Sequence, residues 1–258
     1  MFTDCSLCNC AIWLVAIAIG AYFLRQYFKG VQFTERVSAK GKIAVVTGAN
    51  AGLGKETVRG LNLAGAKVYM LCRSEERANE AKVDLMGCDA TRLIFIHCDL
   101  TKFSSVRQCA KQMEEAEDHI DILMNNAGIM FYPKHELTED GHEMTWQSNH
   151  LGPFLLTELL LPLVKKAKEG RIINVSSLAH TNTGALDLDK IDKKEMHGFW
   201  DPYARSKLAN VMHARELTRR LQAEEGNKVT ANSLYPGICV TDLGRHLSTT
   251  TIAISRPF

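Results

Sequence analysis

From about Gly41 onward the chain alternates between short apolar runs and longer amphipathic ones. That alternation limits what the chain can fold into more than any other feature. It predicts strands at residues 43–47, 67–72, 93–97, 120–125, 171–176 and 229–234. It predicts helices near 55–64, 75–85, 105–117 and 203–223, with Ser74 capping the second. A longer helical stretch over 138–168 is expected to be interrupted near Pro153 and Pro162. Strands that return through helices pair in parallel by right-handed crossovers. The fold class is therefore α/β, a doubly wound parallel sheet with helices on both faces. Ligands of such sheets bind outside the C-terminal strand ends, near the switch in strand order.

The distinctive residues of this chain fall at those ends. Thr47-Gly48-Ala49-Asn50-Ala51-Gly52-Leu53-Gly54 follows the first strand and opens a helix. A turn without Cβ atoms lets a pyrophosphate approach the backbone, and the helix N-terminus offers free N–H groups. Sites that prefer NAD usually place an acid at the end of strand two. Here the residues are Leu71-Cys72-Arg73-Ser74, with no acid, and Arg73 is placed to meet a 2′-phosphate. The expected cofactor is NADP(H) rather than NAD(H). Asp99, followed by Leu100, ends strand three, where its carboxylate either accepts from an adenine amino group or caps the next helix. Asn125-Asn126-Ala127-Gly128 ends strand four, with small residues that permit close approach.

Tyr203 and Lys207 stand four apart on one face of a predicted helix. A phenol is a poor base at neutral pH, and a nearby ammonium favours its ionised form. Ser176-Ser177 ends strand five, where a hydroxyl can bond a substrate oxygen as charge develops. Asn149, in the preceding helical stretch, is a candidate for holding water in a proton relay.

Together these residues resemble the short-chain dehydrogenase/reductase family. The matches are Gly48, Gly52 and Gly54, Asp99, Asn125 to Gly128, Asn149, Ser177, Tyr203 with Lys207, and Pro236-Gly237 with Thr241. They run in family order over about residues 42–243. The resemblance implies a Rossmann-like sheet and hydride transfer between a nicotinamide and a substrate carbon. It implies that Tyr203 is the general acid/base, that Lys207 lowers its pKa and holds the ribose, that Ser177 positions the substrate oxygen, and that Asn149 completes the relay. It places Asn50, Leu53, Leu100, Asn126, Ala127 and Gly128 among the cofactor contacts, with Pro236, Gly237 and Thr241 beside the nicotinamide. The segments Asn149 to Thr157, Asn174 to His180 and Ser206 to Asn210 are similar to the retinol dehydrogenase/retinal reductase branch. That branch implies a lipophilic substrate, retinoid, sterol or lipid aldehyde, and a membrane anchor. A homodimer through the helices carrying Asn149 and Tyr203 is a further analogy.

Residues 11–24 read AIWLVAIAIGAYFL, an uncharged run that extends back to Leu7. At about 18 residues it nears the length needed to span a bilayer core. Arg25, Lys29, Arg36, Lys40 and Lys42 follow it, and only Asp4 precedes it as a charge. The positive-inside rule then sets the domain in the cytosol. A cleaved signal peptide would carry its positive charge before the run. The expected organisation is an anchor over 1–30, a linker over 31–41 and the enzyme domain over 42–258, on an endoplasmic-reticulum or lipid-droplet type membrane.

Of the eight cysteines, Cys5, Cys8 and Cys10 crowd the N-terminus. No second pair or histidine cluster completes a zinc site, so no metal is expected. Reduced thiols, or S-acylation beside the apolar run, fit better than disulfides. The net charge of +2, without a basic stripe interleaved with aromatics, excludes a nucleic-acid partner. The sequence stops at Phe258, soon after Pro236–Thr241, where the family continues with a lid and a last edge strand. The sheet is expected to lack that strand. The alternative reading is a weakly active or non-catalytic NADP(H)-binding scaffold on a membrane.

Overall fold

The computed structural model describes residues 5–29, 34–35, 37–237, 239 and 243. The chain divides into two units, Met1–Val37 and Ser38–Phe258. The first holds α1 (Cys5–Lys29), whose described side chains, residues 11–26, are all exposed. Among the described residues, no helix is both long and apolar enough to cross a membrane.

The second unit alternates as the sequence predicts. Its elements are β1 (Ile43–Thr47), α2 (Gly52–Leu63), β2 (Lys67–Cys72), α3 (Glu75–Asp84), β3 (Leu93–His97), α4 (Phe103–Ala116) and β4 (Ile122–Asn125). After these come α5 (Met144–Trp146), α6 (Gly152–Lys166), β5 (Arg171–Val175), α7 (Asp201–Gln222) and β6 (Thr230–Leu234). All six strands pair in parallel in the order β3-β2-β1-β4-β5-β6. The order reverses between β1 and β4, so the crevice of a doubly wound sheet opens above them.

A strand alternates its side chains between faces, and a parallel sheet covered on both sides must be apolar on both. Here Ala44, Val46, Val68 and Met70 point to one core, closed by Val58 of α2 and Ala78 and Ala81 of α3. Val45, Tyr69, Leu71 and Leu123 point to the other, closed by α4, α6 and α7 through Met113, Leu156, Leu160 and Leu217. Ser74 caps α3 as expected, its Oγ accepting from Arg77 N at 3.2 Å.

The long helical stretch differs from expectation. Pro153 sits in the first turn of α6, where no N–H is needed, and Pro162 lies inside the helix without ending it. The irregularity falls earlier, in a π-helical turn over Gln147–Leu151. Such turns insert one residue into a helix and re-aim the side chains around it.

At the opposite, N-terminal ends of the strands Asp121 ties β1, β4 and β5 together. Its backbone N–H donates to Ile43 O at 2.9 Å, its carbonyl accepts from Arg171 N at 2.8 Å, and its Oδ2 accepts from Ile43 N at 2.8 Å. Asp121→Ala leaves that buried N–H without its acceptor. The expected loss is about 1–3 kcal/mol, read from urea unfolding. An unchanged midpoint would mean that the backbone bonds alone hold the three strands.

Candidate active site

The C-terminal ends of the strands border a cleft of about 880 Å³. At its nucleotide end, Gly48 (φ +62°) and Gly52 (φ +50°) adopt the left-handed backbone that favours glycine. A Cβ on Gly54 would collide with the Gly48 carbonyl and stand 2.5 Å from Asn126 Nδ2. The turn is thus sealed against the end of β4. Asn126 Nδ2 donates to Thr47 O at 2.9 Å, and Thr47 Oγ1 accepts from the N–H groups of Asn126 and Ala127, both at 3.0 Å. Ala51 gives α2 no side-chain cap, so the first N–H groups of that helix face the cleft unpaid by a neighbour's oxygen. Burial pushes the Cys72 thiol up to about 11, against the lowering influence of the Ala49 and Asn50 backbone.

Arg73, exposed at the end of β2, and Arg77 on α3 line the same end. Glu80 and Asp84 line it too, and Asp84 is paired with Lys55 at 3.2 Å. Asp99 Oδ1 accepts from Thr101 N at 3.0 Å and Thr101 Oγ1 at 2.7 Å, so that oxygen is committed to the turn before α4. Asn50, Leu53, Leu100, Gly128, Pro236 and Gly237 all line the cleft, and Thr241 lies outside the described residues. Glycine turn, uncapped helix end and paired arginines together fit a nicotinamide dinucleotide.

At the other end, α7 carries Tyr203 and Lys207 and the loop after β5 carries Ser176 and Ser177. The two serines part company. Ser176 is buried and its Oγ donates to Lys207 O at 2.8 Å, whereas Ser177 is half-buried, its Oγ accepts from Ala179 N at 3.2 Å, and it lines the cleft with Tyr203. Burial pushes the Tyr203 phenol up, and the Ser177 hydroxyl pulls it down. The expected lowering by Lys207 is not among these influences. Lys207 Nζ sits 5.4 Å from the Tyr203 ring centroid and donates to Val175 O at 3.0 Å. Its own burial pushes it down to about 8.

The π-helical turn determines what Asn149 does. Its Oδ1 accepts from Ile129 N at 2.8 Å, while its Nδ2 donates to Ile129 O at 2.9 Å and to Ser206 Oγ at 3.1 Å. The side chain thus clamps the loop after β4. Two residues that the sequence reading passed over complete the arrangement. Ser206 anchors Asn149, and Asn210 Nδ2 donates to Asn149 O at 3.0 Å and Val175 O at 3.5 Å. Asn210 stands three residues beyond Lys207, on the same helical face, a spacing that could have pointed to it.

A sequence model of the short chain dehydrogenases matches residues 42–251, so the chain belongs to the short-chain dehydrogenase/reductase family of oxidoreductases. It is 41% identical to retinol dehydrogenase 13 of Homo sapiens over 235 residues, 90% of this chain and 70% of that one. Across the similar retinol dehydrogenases of human and mouse, matches span 64% to 70% of their length. Among solved structures, an uncharacterized protein from Mycobacterium paratuberculosis superposes with a TM-score of 0.69 at 36% identity, over 85% of this chain and 74% of that one. The RhlG/NADP active-site complex of Pseudomonas aeruginosa gives a TM-score of 0.65 at 26% identity, over 83% and 79%.

Burying Lys207 has a consequence for stability. An unfolded lysine holds its proton to 10.5, while folded Lys207 releases it near 8. Between those values the unfolded chain binds the extra proton, so stability at this site rises with pH across the window. Below it, the full cost of burying the ammonium remains. The stability of the native chain relative to Lys207→Met should therefore increase from about pH 8 to about pH 10 in urea titrations. A difference that stays flat would show that burial does not depress this lysine.

Proposed function

We propose that the chain is an NADP(H)-dependent oxidoreductase that interconverts a lipophilic alcohol and its carbonyl compound. One observation carries the reading: the phenol of Tyr203 and the hydroxyl of Ser177 line the same cleft that presents Arg73. When bound, the nicotinamide gives or takes the hydride. In the reducing direction Tyr203 Oη delivers the proton to the carbonyl oxygen, and in the oxidising direction it removes the proton from the alcohol. Ser177 Oγ donates to the same oxygen as negative charge builds there. The ammonium of Lys207, under the phenol ring, favours the ionised phenol at the moment it forms, and its donors suit the ribose hydroxyls. Asn149 holds Ile129, and through it the wall of the cleft, in register with α7.

Arg73 supports the phosphorylated cofactor. A planar guanidinium meets a 2′-phosphate with paired donors, and no acid stands at the end of β2 to favour a free ribose hydroxyl. The likeness to retinol dehydrogenases supports a retinoid-like substrate. The exposed apolar side chains of α1, among them Ile12, Trp13, Leu14 and Phe23, support membrane association with the domain on the cytosolic side. Membranes of the endoplasmic-reticulum or lipid-droplet type suit a substrate that partitions into lipid. A homodimer through α6 and α7 belongs to the same reading.

The test is NADPH oxidation by the detergent-solubilised full chain with all-trans-retinal, run beside NADH, Tyr203→Phe and Arg73→Ala. Turnover should favour NADPH, and Tyr203→Phe should lower kcat by about 100-fold or more. Arg73→Ala should raise KM for NADPH by about tenfold and leave NADH nearly unchanged. Full activity in Tyr203→Phe would remove the phenol from the chemistry. Equal use of both cofactors by the unaltered chain would remove Arg73 from cofactor choice.

A further inference from the structure

The loop clamped by Asn149 leads directly to Phe131, whose backbone has φ +57°. Among the described residues it is the one non-glycine position with positive φ. A bulky aromatic residue adopts that backbone only where its surroundings hold it, and such strain gathers at ligand sites. What holds Phe131 is visible. Its ring is buried, stacks on Phe199 with centroids 4.4 Å apart and planes 19° apart, and meets Trp200 at 5.1 Å and 32°.

The two partners are not buried in turn. Phe199 is 69% exposed and Trp200 36%. Trp200 immediately precedes α7, lines the cleft, and places its ring centroid 6.0 Å from that of Tyr203. Met130, Ala179 and Ala204 pack around Tyr203 on the same side. An aromatic surface therefore starts at the reacting phenol and runs outward to solvent. Its foundation is a strained residue, which a merely decorative surface pair would not need.

We propose that Phe199 and Trp200, positioned by Phe131, form the wall that binds the flat apolar body of the substrate while its oxygen lies at Tyr203. The proposal rests on the oxidoreductase reading and names the substrate class of that site: an extended conjugated chain or fused-ring body rather than a short alkyl group. Flat π-systems gain dispersion and offset-stacking contacts on an aromatic face that a short alkyl chain cannot match. Phe199 and Trp200 bind, whereas Phe131 is a positioning residue that acts through them.

The test compares all-trans-retinal with butanal as substrates of the full chain, for Phe199→Ala, Trp200→Leu and Phe131→Gly. Glycine accepts the left-handed backbone, so the last variant removes the ring without adding strain. Each variant is expected to raise KM for retinal by about tenfold while leaving kcat, and KM for butanal, within about twofold. NADPH affinity should be unchanged, which separates loss of the wall from loss of the fold. Equal shifts for both aldehydes, or none, would overturn the wall. If the unaltered chain turns over neither aldehyde, the oxidoreductase reading fails separately, and binding decides. All-trans-retinal should then quench tryptophan fluorescence in the native chain, with the quenched component lost in Trp200→Leu and weakened in Phe199→Ala. Identical quenching in the native chain and both variants would overturn the proposal.

Discussion

The pair of hydrogen bonds between the Asn149 side chain and the backbone of Ile129 is the contact on which the reacting end depends. It joins two segments that are distant in sequence, the loop after β4 and the π-helical turn before α6. The same residue reaches α7 twice, through Ser206 Oγ and through its own carbonyl to Asn210. Asn210 also reaches Val175 O, which Lys207 Nζ shares. Every member of this buried chain thus has a partner on another element. A fully satisfied polar network fixes geometry in a way that an apolar contact of the same area cannot, because an amide out of register leaves donors unpaired. The π-helical turn makes the network possible, since it aims Asn149 at the loop and frees its carbonyl for Asn210.

The sheet was legible because periodicity and burial report the same physics. Six apolar runs gave six strands, and the alternating helices gave parallel pairing. The proline signals misled. Pro153 and Pro162 suggested breaks, yet a first-turn proline loses no bond and Pro162 is carried within α6. The real irregularity lies in Gln147-Ser148-Asn149-His150-Leu151, a stretch of unremarkable helix formers. Its conformation is imposed by Ile129 and Asn210, which local propensity does not see.

The site was legible where spacing alone sets geometry. Tyr203 and Lys207 meet because they are four apart on a helix, and Gly48, Gly52 and Gly54 mark a turn that only glycine can make. Balances between opposing effects were not legible. Proximity suggested that Lys207 governs the phenol, but burial acts on both groups at once, raising one and lowering the other. Nor did anything in the residues around Phe131 announce a left-handed backbone. Its aromatic partners lie nearly seventy positions away, roughly half the length of an average domain.

These features share a cost structure. A buried lysine, an uncapped helix N-terminus and a strained phenylalanine each weaken the fold by themselves; the first two border one cleft, and the third follows Met130, which lines it. The Asp121 tie and most of the two cores lie away from that cleft, which the cores reach through residues such as Leu71, Cys72 and Leu100. This division follows from the topology. A doubly wound sheet buries its strands from both faces and leaves only their ends for chemistry, so destabilising groups concentrate where the strands stop. The separation also decides how variation acts. Substitutions within the apolar faces alter stability first, whereas those at the strand ends relieve a cost and lose binding or proton transfer together. A residue such as Lys207, whose buried ammonium costs stability and lines the cleft, is therefore better explained by the site it serves than by what it contributes to packing.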